Sequence, residues 1–213
     1  MKVLLNGVEL QGGNETAATV GEVLDQLRAE IGDAGKVITA IAIDGNLLES
    51  ESQREKIRPR LQSKVERIEL TVEEPKALLH KGLADTRDFL QSLRRDFTTT
   101  ATAFRLGDEV TANDDLVRCL DDLKLVLTGM SAASRLPGAE TETDSLKQTL
   151  VSANARLLPV LDSMYKAQAA GDYVSLADGL EYDLTEIADE WLGVLNHTLH
   201  RLTTEERVVA AEP

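Results

Sequence analysis

Cysteine is all but missing. Cys119 is the one copy in 213 residues, so no disulfide can close within the chain. With Leu116, Leu120 and Leu123 around it, Cys119 reads as a small buried hydrophobe rather than a reactive thiol. Aromatic residues are 3% of the chain, so its cores must be built mostly from leucine, valine, isoleucine and alanine. No apolar run is long enough to cross a bilayer. The opening Met1-Lys2-Val3-Leu4-Leu5-Asn6-Gly7 lacks the apolar stretch of a signal peptide. The expectation is a reducing, cytoplasmic setting without membrane contact. Basic charge is short as well: 23 lysines and arginines face 37 acids, a formal net of −14. Such a field disfavours general binding to nucleic acid or anionic lipid, although it names no partner.

Familiar catalytic patterns are also missing. His80, His197 and His200 are the only histidines. The last two are three apart and could share a helix face with Glu190. A di-metal bundle wants an acid three residues before each histidine, but Val194 and His197 occupy those places. Solvated or capping histidines are the simpler reading. Acids recur at Asp114-Asp115, Asp121-Asp122, Asp178 with Glu181, and Glu186 with Asp189 and Glu190. Their abundance fits a solvated face, and sequence supplies no cleft that would divide acid from base roles. Gly12-Gly13 lacks the lysine-serine or lysine-threonine end of a nucleotide loop and reads as a flexible turn. No Gly-x-Ser-x-Gly elbow occurs. No residue is nominated as catalytic, cofactor-binding or metal-ligating, and no cofactor is expected.

What is present changes character near Pro75. Before it, Lys2 to Leu5 read as a strand, Asn6-Gly7 as a tight turn, and Val8-Glu9-Leu10 as the returning strand. Thr19-Val20-Gly21-Glu22 has capping-box spacing, and Val20, Val23, Leu24, Leu27 and Ile31 follow at helical intervals, with Gly32 as the expected stop. Ile38 to Ile43 form a second strand-like run closed by Asp44-Gly45. Val65 to Val72 form a third, with Ile68, Leu70 and Val72 on one side and Arg67, Glu69 and Thr71 on the other. A short connection is expected between them.

On these residues the first 72 or so positions resemble the ubiquitin-like β-grasp fold, particularly its small sulfur-carrier members. The resemblance rests on Lys2-Val3-Leu4-Leu5-Asn6-Gly7, the helix after Thr19-Val20-Gly21-Glu22-Val23-Leu24, the strand ending in Asp44-Gly45, and Ile68-Glu69-Leu70-Thr71-Val72. It implies a fold and no activity. Sulfur carriers react through a free C-terminal Gly-Gly, whereas here Val72 runs into Glu73-Glu74-Pro75 and the chain ends Ala210-Ala211-Glu212-Pro213.

Beyond Pro75 four apolar stripes recur at steps of three and four. Leu79, Leu83, Thr86, Leu90, Leu93, Phe97, Ala101 and Phe104 form the first, with Gly107 as its end. Leu116, Cys119, Leu120, Leu123, Val126, Leu127 and Met130 form the second, ended by Arg135-Leu136-Pro137-Gly138 and an acidic approach at Glu140-Thr141-Glu142-Thr143-Asp144. The third runs from Leu146 to Met164 with Pro159 inside it, so a kink near Ala155 to Leu158 is expected. Gly171-Asp172 is a stop followed by a cap, and the fourth stripe runs from Leu176 to Leu202. The fold class is therefore α+β: a β-grasp-like domain over 1–74, an antiparallel four-helix region over 75–202, and a partly ordered tail over 203–213. The helical half holds Phe97, Phe104, Tyr165, Tyr173, Tyr182 and Trp191, aromatic area that could also pair two copies into a homodimer.

Two segments stand out as interaction candidates. Arg54, Lys56, Arg58, Arg60, Lys64 and Arg67 are opposed within their span only by Glu55 and Glu66, a net of +4 in an acidic chain. They read either as a solvated surface paired with the chain's own acids or as a docking patch for an acidic partner. Gly171 to Asp183 carries Tyr173 and Tyr182 amid four acids, with Gly179 permitting close approach; helix packing and a partner surface are the two readings. The functional expectation is a non-enzymatic interaction or adaptor protein with an unidentified protein partner. A hydrophobic groove left open between helices would mark a binder of helical segments. The alternative is an enzyme or small-molecule binder with a site at the domain junction lined by groups such as Tyr165, Asp172, Tyr173, Glu181 and Tyr182.

Overall fold

The structure, a computed structural model, describes residues 1–10, 18–136, 139, 141 and 143–209. Gly12-Gly13, Pro137-Gly138, Glu140, Glu142 and the last four residues lie outside these. The chain divides into two compact units, Met1–Leu78 and Leu79–Pro213, each with its own hydrophobic core.

In the first unit, β1 (Lys2–Leu5), β2 (Val8–Glu9), β3 (Val37–Ile43), β4 (Asn46–Leu47) and β5 (Arg67–Glu73) form one mixed sheet in the order β2-β1-β5-β3-β4. β1 and β5 run parallel, and the other pairs are antiparallel. Both hairpins turn on two residues with positive φ, Asn6-Gly7 at 49° and 82° and Asp44-Gly45 at 50° and 82°. That conformation matches the twist of the flanking strands and favours Asn-Gly and Asp-Gly. Asn6 also braces β5: its side chain donates to the Val72 carbonyl (3.1 Å) and accepts from the Val72 amide (2.9 Å). Asp44 Oδ1 accepts from the Glu66 and Arg67 amides at 2.8 and 2.9 Å, and these bonds hold its carboxyl below the usual carboxylate range.

Helix α1 (Val20–Asp33) starts on the expected capping box, with the Thr19 hydroxyl accepting from the Glu22 amide and Glu22 accepting from the Thr19 amide. It buries Val20, Val23, Leu24, Leu27 and Ile31, which join Val3, Ile41, Ile43, Ile68, Leu70 and Val72 in the unit's core. Gly32 is not the stop. The helix passes through it, and the turn falls at Gly35, whose φ is +70°. The connection before β5 holds a helix the apolar pattern does not reveal, α2 (Glu51–Ile57). α2 has no buried residue, so it lacks a stripe, yet Ser50 and Gln53 form a full capping box.

The second unit is built on four long helices: α3 (Pro75–Leu106), α4 (Glu109–Ala133), α5 (Asp144–Ala170) and α7 (Thr185–Val209). α5 passes Pro159 as a single helix. The final stripe is not one uniform helix: α6 (Tyr173–Asp178) leads through a wide π turn at Gly179–Leu184 into α7. α7 extends to Val209, seven residues past the expected end of the stripe at Leu202.

Side-chain links show how these helices neighbour one another. Thr86 and Thr100 of α3 meet Gly129 and Cys119 of α4; Asn113 and Gln168 join the start of α4 to the end of α5. Ser145 meets Thr198 across α5 and α7, and His80 meets Thr203 across α3 and α7. Every adjacent pair is thus antiparallel, with Phe97, Met130, Leu146 and Trp191 among the fully buried side chains.

Candidate functional site

The basic segment of the first unit is drawn into local structure. Arg58 binds Asp25 of α1 in a two-pronged pair at 3.1 and 2.5 Å, holding that carboxyl below its ordinary range. The Arg58 and Arg60 carbonyls accept from the Gly21 and Val20 amides, both at 2.9 Å, so the segment's backbone closes the α1 N-terminus. A Cβ at Gly21 would sit 3.1 Å from the Arg58 carbonyl oxygen, which explains glycine at that close approach. Arg54 pairs with Glu51 (3.6 Å), Arg60 with Asp44 (3.7 Å) and Arg67 with Glu69 (2.9 Å). Lys56 and Lys64 have no ion pair among the described residues. Four of the six nominated cations therefore sit on the chain's own acids, which reduces the charge available to a partner.

The tyrosine segment is similarly engaged. Asp172 caps α6, accepting from the Ser175 amide (3.0 Å) and hydroxyl (2.7 Å), which lower its pKa. Tyr173 stacks on Phe104 with ring centroids 5.5 Å apart, and its phenol, hydrogen-bonded to the Glu109 carboxylate, is pushed up. Arg105 of α3 reaches both Asp178 (2.7 Å) and Glu181, at the π turn. A Cβ at Gly179 would lie 2.8 Å from Met164 Cγ, so the close approach belongs to helix packing. Tyr182 is exposed. Further along α7, Asp189 is paired with Arg94, and Glu186 and Glu190 with Arg156.

Cys119 is buried, 3.6 Å from the Thr100 hydroxyl, and burial pushes its thiol up, away from the reactive thiolate. Among the described residues no His, Cys, Asp or Glu cluster has metal-binding geometry, and no helix is long and apolar enough to cross a membrane.

An apolar groove is lined by none of the six nominated cations and by neither Tyr173 nor Tyr182. It lies between α4 and α5 with a volume of about 320 Å³, its floor made by Leu120, Leu123, Leu127, Leu157, Leu161 and Met164. Lys124, Tyr165 and Gln168 stand at its edges. Beside it a shallower depression of about 460 Å³ shares Lys124 and Leu127 and extends along α4 past Thr128 and Ser131 to Arg135. On α5, Val151, Leu158 and Tyr165 are 76%, 65% and 69% exposed and seven residues apart, two helical turns, so they form an outward row beside the floor. Of the groups imagined around a small-molecule site, Tyr165 lines this groove, while Asp172, Tyr173 and Glu181 serve the cap, ring stack and ion pair above. The missed signal was in plain sequence: Val117, Val151 and Leu158 are apolar residues lying off the core stripes, and such outliers mark a helix with more than one apolar face.

Comparison with known proteins adds one partial match. No curated protein and no solved structure matches the chain. Residues 1–74, roughly a third of the sequence, match the family model described as the TP0873 N-terminal domain.

Proposed function

We propose that this is a non-enzymatic interaction or adaptor protein, in which a β-grasp-like head accompanies a helical unit that takes up an apolar segment of another protein. The observation that carries the reading is the groove between α4 and α5. An apolar floor flanked by an exposed row of large apolar side chains is the complement of an amphipathic helix, whose anchors recur at i, i+3, i+4 and i+7. The β-grasp assignment for residues 1–74 is supported by the strand order, with first and last strands parallel and adjacent and α1 packed on the sheet. A homodimer through the same face is the principal variant of this reading.

The test is native mass spectrometry and light scattering on the protein purified from its own cells, beside a Leu120→Glu, Leu161→Glu variant. The expectation is a protein partner, or a second copy, bound to the unaltered chain and lost from the variant. Partner binding untouched by the variant, or a small molecule held in the groove instead, would refute it.

A further inference from the structure

The groove has a charge pattern that narrows what fills it. We infer that its occupant is an amphipathic helix of a partner protein carrying two carboxylates about eleven residues apart on the edge that faces α4; this rests on the helix-binding reading above.

Three observations lead there. First, Lys124 and Arg135 line the edge of the groove and its extension, and neither has a carboxylate partner among the described residues; Arg135 donates to the Ser131 hydroxyl instead. Elsewhere on this unit, Arg94, Arg105 and Arg156 are all committed to acids of α7 or the adjoining π turn. In a chain of net charge −14, two cations without a carboxylate partner stand beside this apolar floor. Screening limits a bound helix to sensing charges within about 8 Å at physiological salt, so this edge counts for more than the distant net charge.

Second, Lys124 sits on α4 and Arg135 in the turn two residues past its end at Ala133, and both line the same depression, roughly three helical turns apart. The Ser131 hydroxyl accepts from Arg135 and keeps that guanidinium on the side of α4 that carries Lys124 and Thr128. A partner lying alongside would match them with acids at the same interval.

Third, the two edges differ. The α5 edge presents Val151, Leu158 and Tyr165, while the α4 edge presents Lys124, Thr128, Ser131 and Arg135. A helix with an apolar face and one acidic flank satisfies both edges in a single orientation. From Leu116 to the end of α4 at Ala133 the trough runs roughly 25 Å, the length of a helix of about five turns.

The experiment is a display library of helical peptides about 18 residues long, matched to that trough. Leucine is fixed along the apolar face, and the flanking positions vary among Glu, Gln and Lys. Selection is run on the full chain, on Leu120→Glu, Leu161→Glu, and on Lys124→Glu, Arg135→Glu, each checked by circular dichroism for retained helix. The expected winners carry Glu at two flank positions about eleven apart and bind Lys124→Glu, Arg135→Glu at least about fivefold more weakly, as loss of roughly 1 kcal/mol of surface pairing implies. Replacing those Glu by Lys restores binding to the reversed variant. If winners are indifferent to flank charge yet lost on Leu120→Glu, Leu161→Glu, the acidic-partner inference falls while the groove reading stands. If enrichment is equal on the unaltered and groove-blocked chains, both fall. A concentration-dependent dimer abolished by Leu120→Glu, Leu161→Glu, with no peptide selected, would make the occupant a second copy and overturn the inference.

Discussion

At the scale of single residues, neighbouring chemistry sets opposite outcomes for similar substitutions. Gly82 lies in the exposed interior of α3 with open space where a Cβ would go, whereas Gly179 would drive one to 2.8 Å from Met164 Cγ. Gly82→Ala is expected to raise stability by about 0.5–1 kcal/mol through reduced chain entropy. Gly179→Ala is expected to lower it by about 1 kcal/mol or more, overpacking outweighing the same gain. Denaturant melts of the two variants check the sign of each. The Asp25–Arg58 pair gives a titration test. The Asp25 carboxyl is held below its ordinary 3.8, chiefly by hydrogen bonds from Arg58. A depressed folded-state pKa contributes stability that is present above the unfolded value and is lost as pH falls through the folded one. Arg58→Met should therefore move the Asp25 carboxyl upward in an NMR titration, and its stability deficit should shrink as the pH drops below about 4. An unmoved carboxyl would mean the pair is not formed in solution.

At the scale of elements, the sequence was most readable where a local signal and an apolar face coincide. Thr19 to Ile31 combines a capping box with a stripe, and α1 follows it closely. Thr19→Ala is expected to cost about 1 kcal/mol, measured by thermal or denaturant unfolding of the first unit. α2 has the box without the stripe, and a polar helix cannot be told from a polar loop by periodicity. The π turn at Gly179–Leu184 was illegible for another reason: its cause is tertiary, with Gly179 against Met164 and Arg105 drawing in Asp178 and Glu181. The four stripes located the long helices because each buries one continuous face. Trp191, fully enclosed in that core, should cost about 3–5 kcal/mol when cut to alanine, with the loss read from a denaturant midpoint.

At the scale of the whole molecule, the change of pattern at Pro75 lies beside the division into two units at Leu78 and Leu79. The interaction candidates were harder to read. Charge density singled out Arg54 to Arg67, but whether a cation is free depends on where folding places acids distant in sequence: Asp25 reaches Arg58 from 33 residues away. Apolar stripes, in turn, do not say whether two facing helices close on each other or part. A groove between α4 and α5 is lined by residues of both stripes, and the central claim is that another protein's helix fills it.

The most direct measurement places a photo-cross-linking side chain at Tyr165, inside the groove, and at Val174, exposed but outside the groove lining, in separate full-length chains. After irradiation in the native cells, the expected result is one dominant protein adduct at position 165, mapped to an amphipathic helical segment and absent at position 174. Equal labelling at both positions, or a small-molecule adduct alone at position 165, would contradict the claim.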